Sequence, residues 1–565
     1  MQNSKSPLWS PSSSVIEHAN LTRFMDQYGF KSYEDLYQFS LENKAEFWSM
    51  LWDFCQVIGF KGNRWVENWD DIEKTLFFPE AQLNFAENLL QHRGSSLAIE
   101  FYGENKVRQT LTHDDLYLEV AKIAATLKQW GVQPGDRVAG YLPNLAQTVI
   151  AMLATASIGG VWSSCSPDFG TTGVIDRFGQ IAPKVLFLAD GYHYQGKKFT
   201  SVDKLPDILV GIPSIEKVVV IPYIEAERPV FDQKTFFWPD LLAQSTAQQI
   251  EFVPFNFNHP LYILFSSGTT GIPKCIVHRA GGVLLQHLKE HQLHCNLKVG
   301  DRLFYFTTCG WMMWNWLVSG LASGATLILY DGSPTYPHLT ALFDMAQDIK
   351  ITHFGTSAKF IDSLMKQEVT LTQSHDLSAL RMITSTGSPL APEAFEYVYQ
   401  HIKQDVCLAS ISGGTDIVSC FALGNPIAPV WAGELQTAGL GMAIAVYDET
   451  GKRLPQGQKG ELVCLAPFPC QPLCFWNDGK SEKYHQAYFA KFPGVWHHGD
   501  FVELTAHQGL IIHGRSDAVL NPGGVRIGTA EIYRQVEKIP EVLESIAIGQ
   551  EWQHDVRVIL FVKLQ

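Results

Sequence analysis

Continuous apolar runs alternate with helix-like segments along this chain. Five runs recur in its middle third: KVLFLAD (184–190), KVVVIPYI (217–224), LYILFSS (261–267), RLFYFTT (302–308) and ATLILYD (325–331). Apolarity without alternation is typical of strands that are covered on both faces. Helices must supply that cover, so the pattern predicts an α/β fold built from parallel-rich βαβ sheets.

The same alternation begins earlier in the chain. Thr112 followed by Asp115 has the spacing of a capping box, which predicts an amphipathic helix that runs to about Trp130. Residues 137–141 read as a strand, 145–157 as a second helix and 161–165 as the next strand, which is the order of a βαβ unit.

Both ends of the chain have a different sequence pattern from the middle. Residues 32–60 carry aromatics at helical spacing and are expected to be helical. After residue 430, short strands alternate with Gly and Pro turns, which predicts an antiparallel subdomain or a small β-barrel. A chain of 565 residues is too long for one core, so about three or four structural units are expected.

Composition narrows the classes of partner. The formal net charge of −14 argues against nucleic acid and gives no basic stripe for anionic lipid, although a local loop can still bind a small anion. The ten cysteines are scattered without metal-ligand spacing, which disfavours a zinc site and suits a reducing cytoplasm. The N-terminus has no apolar core of a secretory signal. The longest apolar stretches are short and broken by Gly and Ser, so no membrane span is expected.

The stretch SSGTTGIPK (266–274) is the first candidate for chemistry. Gly268 and Gly271 allow positive φ, which lets successive backbone N–H groups point into one concavity. Four hydroxyls and Lys274 surround them, a set that suits a polyphosphate. The loop is not a Walker A motif, because Pro273 stands where the second Gly should be and a strand-like run follows. A simple Gly-Thr hairpin turn remains the alternative.

Four further loops carry polar residues. Asp500 in WHHGD could accept both hydroxyls of a ribose, although most loop aspartates cap turns. Arg515 follows in GRSD, and STGSPL (385–390) and SISGGTD (410–416) are Gly-rich loops. Asp416 could hold Mg²⁺ through oxygen, as phosphoryl chemistry requires.

Taken in order, these motifs resemble the acyl- and aryl-CoA synthetase/luciferase superfamily of adenylate-forming enzymes. The resemblance rests on SSGTTGIPK, TTCGWMMWNW, GSP, SGGTD, HHGD and GRSDAVLNPGGVRIGTAEI, and it spans nearly the whole chain. AQLNFAENLL (81–90) and GWMMWNW (310–316) are most similar to the members that activate acetoacetate, with those that activate acetate next. The resemblance implies ATP, Mg²⁺ and coenzyme A as small-molecule partners, and a carboxylic acid joined to coenzyme A through an acyl-adenylate.

The resemblance also implies roles for residues at matching positions. The phosphate loop would comprise Ser266, Ser267, Gly268, Thr269, Thr270, Gly271 and Lys274. Adenine would lie against Gly387, Ser388 and Pro389, and ribose against Asp500 and Arg515. Gly414, Thr415 and Asp416 would lie by the α-phosphate, with Asp416 on Mg²⁺ and with Thr415, Asp416 and Arg526 as the catalytic set. Asp517 would be a domain hinge, and Gly524 would line the pantetheine path.

The sequence also indicates which residues could line part of the acyl pocket. Acetate-activating members carry a bulky tryptophan before the Thr-acid pair, whereas this chain has Ser412, Gly413 and Gly414 there. The missing indole is expected to open space for a longer acid, with Trp311 and Met312 as another wall. A four-carbon β-keto acid fits this size argument, and so does butyrate or another short acid. The aromatics of 311–316 could alternatively be core.

The C-terminal part departs from the family pattern. The resemblance divides the chain into a large domain at 1–516, whose first 95 residues are a helical extension, and the beginning of a small domain at 517–565. Members carry a catalytic lysine in text like P-x-T-x-S-G-K, which is not found before Gln565. We therefore expect this polypeptide to bind ATP but to adenylate slowly. A truncated, non-catalytic nucleotide-binding homologue is the alternative from another functional class.

Overall fold

The computed structural model describes residues 6–225, 234–266, 271–516, 519–520, 522, 527–528, 532, 536, 539, 541–553 and 555–564. The α-helices are Ser13–Glu17, Asn20–Tyr28, Tyr33–Glu42, Lys44–Phe54, Phe85–Leu89, His113–Gln129, Ala146–Ser157, Thr171–Ile181, Leu205–Gly211, Trp238–Gln244, Ala280–Leu288, Met312–Val318, Ala341–Asp348, Ala358–Lys366, Pro392–Tyr397 and Glu482–Tyr488. Lys289–His294 and Val398–Ile402 are π-helical, and Val202–Lys204 and Ser319–Ser323 are 3₁₀-helical.

An eight-stranded sheet forms one half of the α/β body. Its strands, in spatial order, are Thr235–Phe237, Lys217–Ile221, Val185–Ala189, Arg137–Tyr141, Val161–Cys165, Pro260–Ser266, Lys274–Arg279 and Cys474–Phe475. The first six run parallel, and Lys274–Arg279 is antiparallel to both of its neighbours, Pro260–Ser266 and Cys474–Phe475. After Val161–Cys165 the chain crosses back to the other side of Arg137–Tyr141, so the strand order reverses there.

A seven-stranded sheet forms the other half. Its strands, in spatial order, are Cys407–Ser410, Met382–Thr386, His353–Ser357, Arg302–Tyr305, Thr326–Asp331, Leu97–Gly103 and Arg108–Thr112. All neighbouring pairs are parallel except the last. The strand order reverses beside Arg302–Tyr305, because the next strand lies on one side of it and the following strand on the other. All five apolar runs are strands of these two sheets, which confirms the predicted parallel-rich architecture.

The chain beyond residue 410 is antiparallel, as expected. Ser412–Gly414, Ser419–Leu423 and Thr437–Ala438 form one sheet, and Ile444–Tyr447, Lys459–Cys464, Trp496–Leu504 and Leu510–Arg515 form a four-stranded sheet. Within the described ranges this four-stranded sheet is open and does not close into a barrel. Two-stranded pairs are Val66–Glu67 with Leu76–Phe77, Gln82–Leu83 with Phe255–Asn256, Gly191–Tyr194 with Lys197–Thr200, Val519–Leu520 with Ile527–Gly528, and Val542–Trp552 with Asp555–Leu564.

The helix signals in the sequence have clear physical outcomes. Thr112 accepts from the N–H of Asp115 while the Asp115 carboxylate accepts from the N–H of Thr112, so the predicted capping box is confirmed. The helix ends with Trp130 as its C-cap. The segment 32–60, predicted to be helical, forms the helices Tyr33–Glu42 and Lys44–Phe54, which meet at Asn43. The prediction was wrong for residues 55–60, which are not helical.

The N-terminal helices belong to the main body. The hydroxyl of Tyr33 donates to the carbonyl of Ala438, and that of Tyr37 donates to the carbonyl of Met442. Trp48 is fully buried in the same core as both large sheets. All ten cysteines are free thiols, and nine of them are buried. Within the described ranges, every helix is too short or too polar to span a bilayer.

Candidate active site

A cavity of about 370 Å³ opens where the carboxyl ends of the two large sheets meet. Ser164 and Cys165 line it from the eight-stranded sheet, and Tyr305, Thr386 and Ser410 line it from the seven-stranded sheet. Strands of both sheets next to an order reversal therefore end at this cavity. In open parallel sheets, ligands bind beyond the carboxyl ends of the strands at such reversals.

Most of the described residues predicted for the site line this one cavity. They are Ser266, Trp311, Met312, Gly387, Ser388, Pro389, Gly413, Gly414, Thr415, Asp500 and Arg515. Gly271, Lys274 and Asp416 are described but are not among its lining residues. The remaining predicted residues, Ser267, Gly268, Thr269, Thr270, Asp517, Gly524 and Arg526, lie outside the described residues.

The predicted ribose pair is in direct contact. Asp500 and Arg515 are cross-strand partners in the four-stranded sheet, and Arg515 Nη1 donates to Asp500 Oδ1 at 3.1 Å. Both side chains are largely buried, with 8% and 12% of their surfaces exposed. Asp500 has a second oxygen, 3.7 Å from Nε2 of His498. The pair thus places a fixed carboxylate and a fixed cation on the cavity wall.

Gly387, Ser388 and Pro389 form a turn at the end of strand Met382–Thr386. Gly387 has φ of +94°, a value that favours glycine, and the turn exposes the backbone to the cavity. The hydroxyl of Thr386 donates to the carbonyl of Ile411 at 2.9 Å and ties this turn to the neighbouring loop. The turn therefore contributes three small residues to the cavity wall.

One part of the cavity lining, which we call the apolar end, carries mainly apolar side chains. Trp311, Met312 and Met313 line it where helix Met312–Val318 begins, and Tyr305 and Cys420 line it elsewhere. Trp311 keeps 43% of its surface exposed, whereas Trp314 and Trp316 are fully buried. The aromatic stretch therefore divides into a cavity wall and core, and both interpretations of it hold at different residues.

Gly413 lines the cavity, and the structure gives a second reason for a glycine at this position. A Cβ built on Gly413 would lie 1.8 Å from the carbonyl oxygen of Ser419 and 2.7 Å from Cα of Cys420. A side chain at this position would strike strand Ser419–Leu423. The absence of an indole at Gly413 therefore permits close strand pairing here.

Asp416 is buried beside the cavity and is held by an aromatic side chain. The hydroxyl of Tyr488 donates to Asp416 Oδ1 at 2.6 Å, and Tyr488 stacks on Trp496 at 3.9 Å between ring centroids. Among the described residues, no cluster of three or more His, Cys, Asp or Glu could hold a metal. Mg²⁺ in phosphoryl sites needs only one or two carboxylates besides substrate phosphates and water, so a single Asp416 fits that role.

The described ends of the phosphate-loop candidate are anchored by a hairpin. Ser266 ends one strand and Lys274 begins the next, directly opposite each other. Lys274 Nζ lies 5.8 Å from the ring centroid of Tyr488 and 5.9 Å from that of Phe475, which places it near Asp416's partner. Gly271 has φ of +87°. A strand after the loop, rather than a helix, is as expected.

The hydroxyls and charged side chains on the cavity wall suit an anionic ligand. The hydroxyls of Ser266 and Thr356 are buried at the cavity and have no partner among the described residues. The charged side chains on its described wall are Arg177, Asp500 and Arg515, so two cations face one anion. Buried polar groups normally find partners, so these hydroxyls are available to a polar ligand.

Sequence reasoning missed several residues. Arg177, Tyr305 and Cys420 line the cavity, Tyr488 holds Asp416, and His498 Nε2 contacts the carbonyl of Gly413 at 3.1 Å. His498 could have been found, because residues two apart on a strand share a face and Asp500 was already a candidate. Behind Asp416, burial lowers the pKa of His278 to about 3 despite the opposing effect of that carboxylate. Nothing in the local sequence around Arg177 or Tyr488 signals a site.

Residues 86–468 match the family model for AMP-binding enzymes. The chain belongs to the AMP-binding enzyme family.

Relatives within the family extend the comparison. The chain is 53% identical to acetoacetyl-coenzyme A synthetase of Rhizobium meliloti, over 99% of this chain and 87% of that protein. It is 45% identical to acetoacetyl-CoA synthetase of Gallus gallus, over 99% and 86%, and 40% identical to malonamoyl-CoA synthetase of Penicillium aethiopicum, over 95% and 78%. The solved structure of acetoacetyl-CoA synthetase from Streptomyces lividans aligns with a TM-score of 0.87 at 41% identity, over 99% of this chain and 87% of that one.

Proposed function

We propose that the protein ligates acetoacetate to coenzyme A at the expense of ATP, through an acetoacetyl-adenylate. The observation that carries the proposal is that one cavity is lined both by the charged pair Asp500 and Arg515 and by the apolar side chains of Trp311 and Met312. An acyl-adenylate likewise combines a polar nucleotide with a short acyl group. Relatives named for this activity at 45–53% identity support the choice of acid.

The chemistry needs no protein nucleophile. In the first step a carboxylate oxygen attacks the α-phosphorus, the bond to the bridging oxygen of the β-phosphate breaks, and pyrophosphate leaves. In the second step the thiol sulfur attacks the acyl carbon, the acyl–oxygen bond breaks, AMP leaves, and the thiol proton passes to solvent. Positioning and charge stabilisation are therefore the protein's contributions.

The residues around the cavity would divide these tasks. Asp500 would accept the ribose hydroxyls while Arg515 holds that carboxylate in place, and the turn at Gly387 would contact adenine. Thr415 and Gly414 would hold the α-phosphate, and the hydroxyl of Ser266 and the cation of Lys274 would hold the outer phosphates. Asp416 would hold Mg²⁺, which offsets phosphate charge when bound.

The C-terminal assignments are part of the proposal. We propose a large domain at 1–516, with a helical extension at 1–95, followed by small-domain residues from a hinge at Asp517. Arg526 would face the phosphates and Gly524 the pantetheine arm.

A direct test is a substrate series with mass-spectrometric detection of the CoA thioester. Acetate, butyrate, 3-hydroxybutyrate, acetoacetate and malonamate are each supplied with ATP, Mg²⁺ and coenzyme A. Acetoacetate should give the highest kcat/KM, by about tenfold over butyrate, since one hydrogen bond to the β-carbonyl would be worth about 0.5–1.5 kcal/mol. A preference for malonamate would favour the second candidate, a malonamate–CoA ligase, which the relative from Penicillium aethiopicum supports.

A further inference from the structure

A buried carboxylate lies behind the apolar end of the cavity and outside the residues assigned so far. Glu290 belongs to the π-helical segment Lys289–His294, which continues helix Ala280–Leu288. Its side chain is fully buried, as is that of Lys289, whose Nζ lies 3.7 Å from Glu290 Oε1. Single π-helical turns are uncommon and are often found near functional sites.

The two oxygens of Glu290 contact two different elements that contribute residues to the cavity wall. Oε2 accepts from the indole Nε1 of Trp316 at 2.9 Å, and Oε1 accepts from the backbone N–H of Cys420 at 3.0 Å. Trp316 lies on helix Met312–Val318, whose first residues form the apolar wall, and Cys420 lines the cavity from strand Ser419–Leu423. One carboxylate therefore joins the apolar wall to the strand wall.

Each of these contacts reaches the cavity by a short path. Trp316 meets the ring of Tyr305 edge-on at 6.0 Å, and Tyr305 lines the cavity. The N–H of Cys420 donates to Glu290 where the pairing of Ser412–Gly414 with Ser419–Leu423 shifts register. Such irregularities commonly re-aim a strand beside an active site.

Only a carboxylate can make both contacts. It offers acceptors on both oxygens, whereas an amide has one acceptor and one donor group. In a Glu290→Gln variant the amide oxygen can accept from Cys420, but the amide nitrogen then faces the indole N–H of Trp316. Burying a charged group is costly unless it is paired, and Lys289 supplies the pairing here.

We infer that Glu290 is a positioning residue that sets the width of the apolar end of the cavity, and through it the selectivity for acyl chain length. It acts through Trp316 and Cys420 and does not itself line the cavity. The inference rests on the proposed function, because it assumes that this end of the cavity receives the acyl group.

The test uses ligands that separate the two ends of the cavity. AMP probes the nucleotide end alone, while the methyl, propyl and butyl esters of AMP add an alkyl group of increasing length. Calorimetric Kd values are measured for the full chain, Glu290→Gln, Trp316→Phe, the double variant and Glu100→Gln. Glu100 is a matched control, because it is a similarly buried carboxylate that contacts Arg302 and Tyr102 and does not line the cavity.

Glu290→Gln should leave the Kd for AMP within about twofold of the wild-type value. The affinity ratio of butyl-AMP to AMP should fall by about tenfold, and the three esters should bind with more similar Kd values than they do to the wild-type chain. Trp316→Phe should lower that ratio by about threefold, and the double variant should resemble Trp316→Phe because the clash of donors is gone. Glu100→Gln should retain the wild-type ratio.

An unchanged ratio in folded Glu290→Gln, or an equal loss of AMP and butyl-AMP affinity, would overturn the inference. If Glu290→Gln does not fold, a wild-type ratio in Trp316→Phe overturns it. Failure of the proposed function is a separate result, in which the wild-type chain binds butyl-AMP no better than AMP.

Discussion

The hydroxyl of Tyr488 donates to Asp416 Oδ1 at 2.6 Å, so a residue without any motif fixes the carboxylate proposed to hold magnesium. Tyr488 in turn stacks on Trp496, which is fully buried. The orientation of Asp416 is therefore set by the packing of helix Glu482–Tyr488 against strand Trp496–Leu504.

This contact makes the effect of Tyr488→Phe predictable. The variant keeps the aromatic stacking and removes one hydrogen bond to a charged group, worth about 1.5–3 kcal/mol. We expect the Mg²⁺ concentration for half-maximal ATP binding to rise by about tenfold while Mg²⁺-independent AMP binding stays unchanged. Calorimetric titration at several Mg²⁺ concentrations measures both. Tyr484→Phe, on the same helix and also against Trp496, is the control and should behave as wild type.

The ribose role of Asp500 can be tested with modified nucleotides. The wild-type chain should bind ATP about tenfold more tightly than 2′,3′-dideoxy-ATP, because the latter leaves the carboxylate without its hydroxyl donors. Asp500→Asn should lose most of that discrimination and should bind the dideoxy nucleotide with little change. Fluorescence competition with a labelled nucleotide gives the four Kd values. Equal discrimination in both proteins would remove Asp500 from the ribose site.

The fold was more predictable from sequence than the site, for a physical reason. Burial on both faces imposes continuous apolarity, so the five strand runs were visible as such, and the capping box of Thr112 and Asp115 is a local interaction. Residues such as Arg177, Tyr488 and Glu290 reach the site through contacts distant in sequence, and no local pattern encodes those contacts. Gly413 was predicted as a pocket residue because it leaves room for a longer acid. Only the tertiary structure shows that the carbonyl of Ser419 also excludes a side chain there.

Gly413→Ala should damage the protein even though alanine is small. Its Cβ would be placed 1.8 Å from the carbonyl oxygen of Ser419, which forces the strand to move. Overpacking of this kind costs about 1–3 kcal/mol, and the strand that moves carries Cys420 on the cavity wall. We expect a lower midpoint of thermal unfolding together with weaker binding of butyl-AMP. Ser412→Ala, one residue earlier on the same strand, should change neither, and equal stability of the two variants would contradict the close approach.

Glu461 provides a prediction about pH. It is buried on strand Lys459–Cys464, in the same four-stranded sheet as the ribose pair. Its carboxylate accepts from Lys491 Nζ at 2.5 Å, His497 Nε2 at 3.0 Å and the hydroxyl of Ser516 at 2.5 Å. Burial by itself would raise the pKa of Glu461, but the hydrogen bonds from His497, Lys491 and Ser516 outweigh it and lower the pKa to about 2.

A carboxylate whose pKa is lower in the folded state binds its proton more readily in the unfolded chain. Its stabilising contribution is therefore complete above the unfolded pKa of about 4.3 and is lost as the pH falls toward the folded value. Glu461→Gln should lower the free energy of unfolding by about 1–3 kcal/mol at neutral pH, and this difference from wild type should shrink by about half near pH 3. Urea denaturation at both pH values measures it. Glu449→Gln, at an exposed turn, should stay within about 0.5 kcal/mol of wild type throughout. A deficit of Glu461→Gln that is the same at both pH values would show that the three hydrogen bonds do not depend on ionisation of this carboxylate.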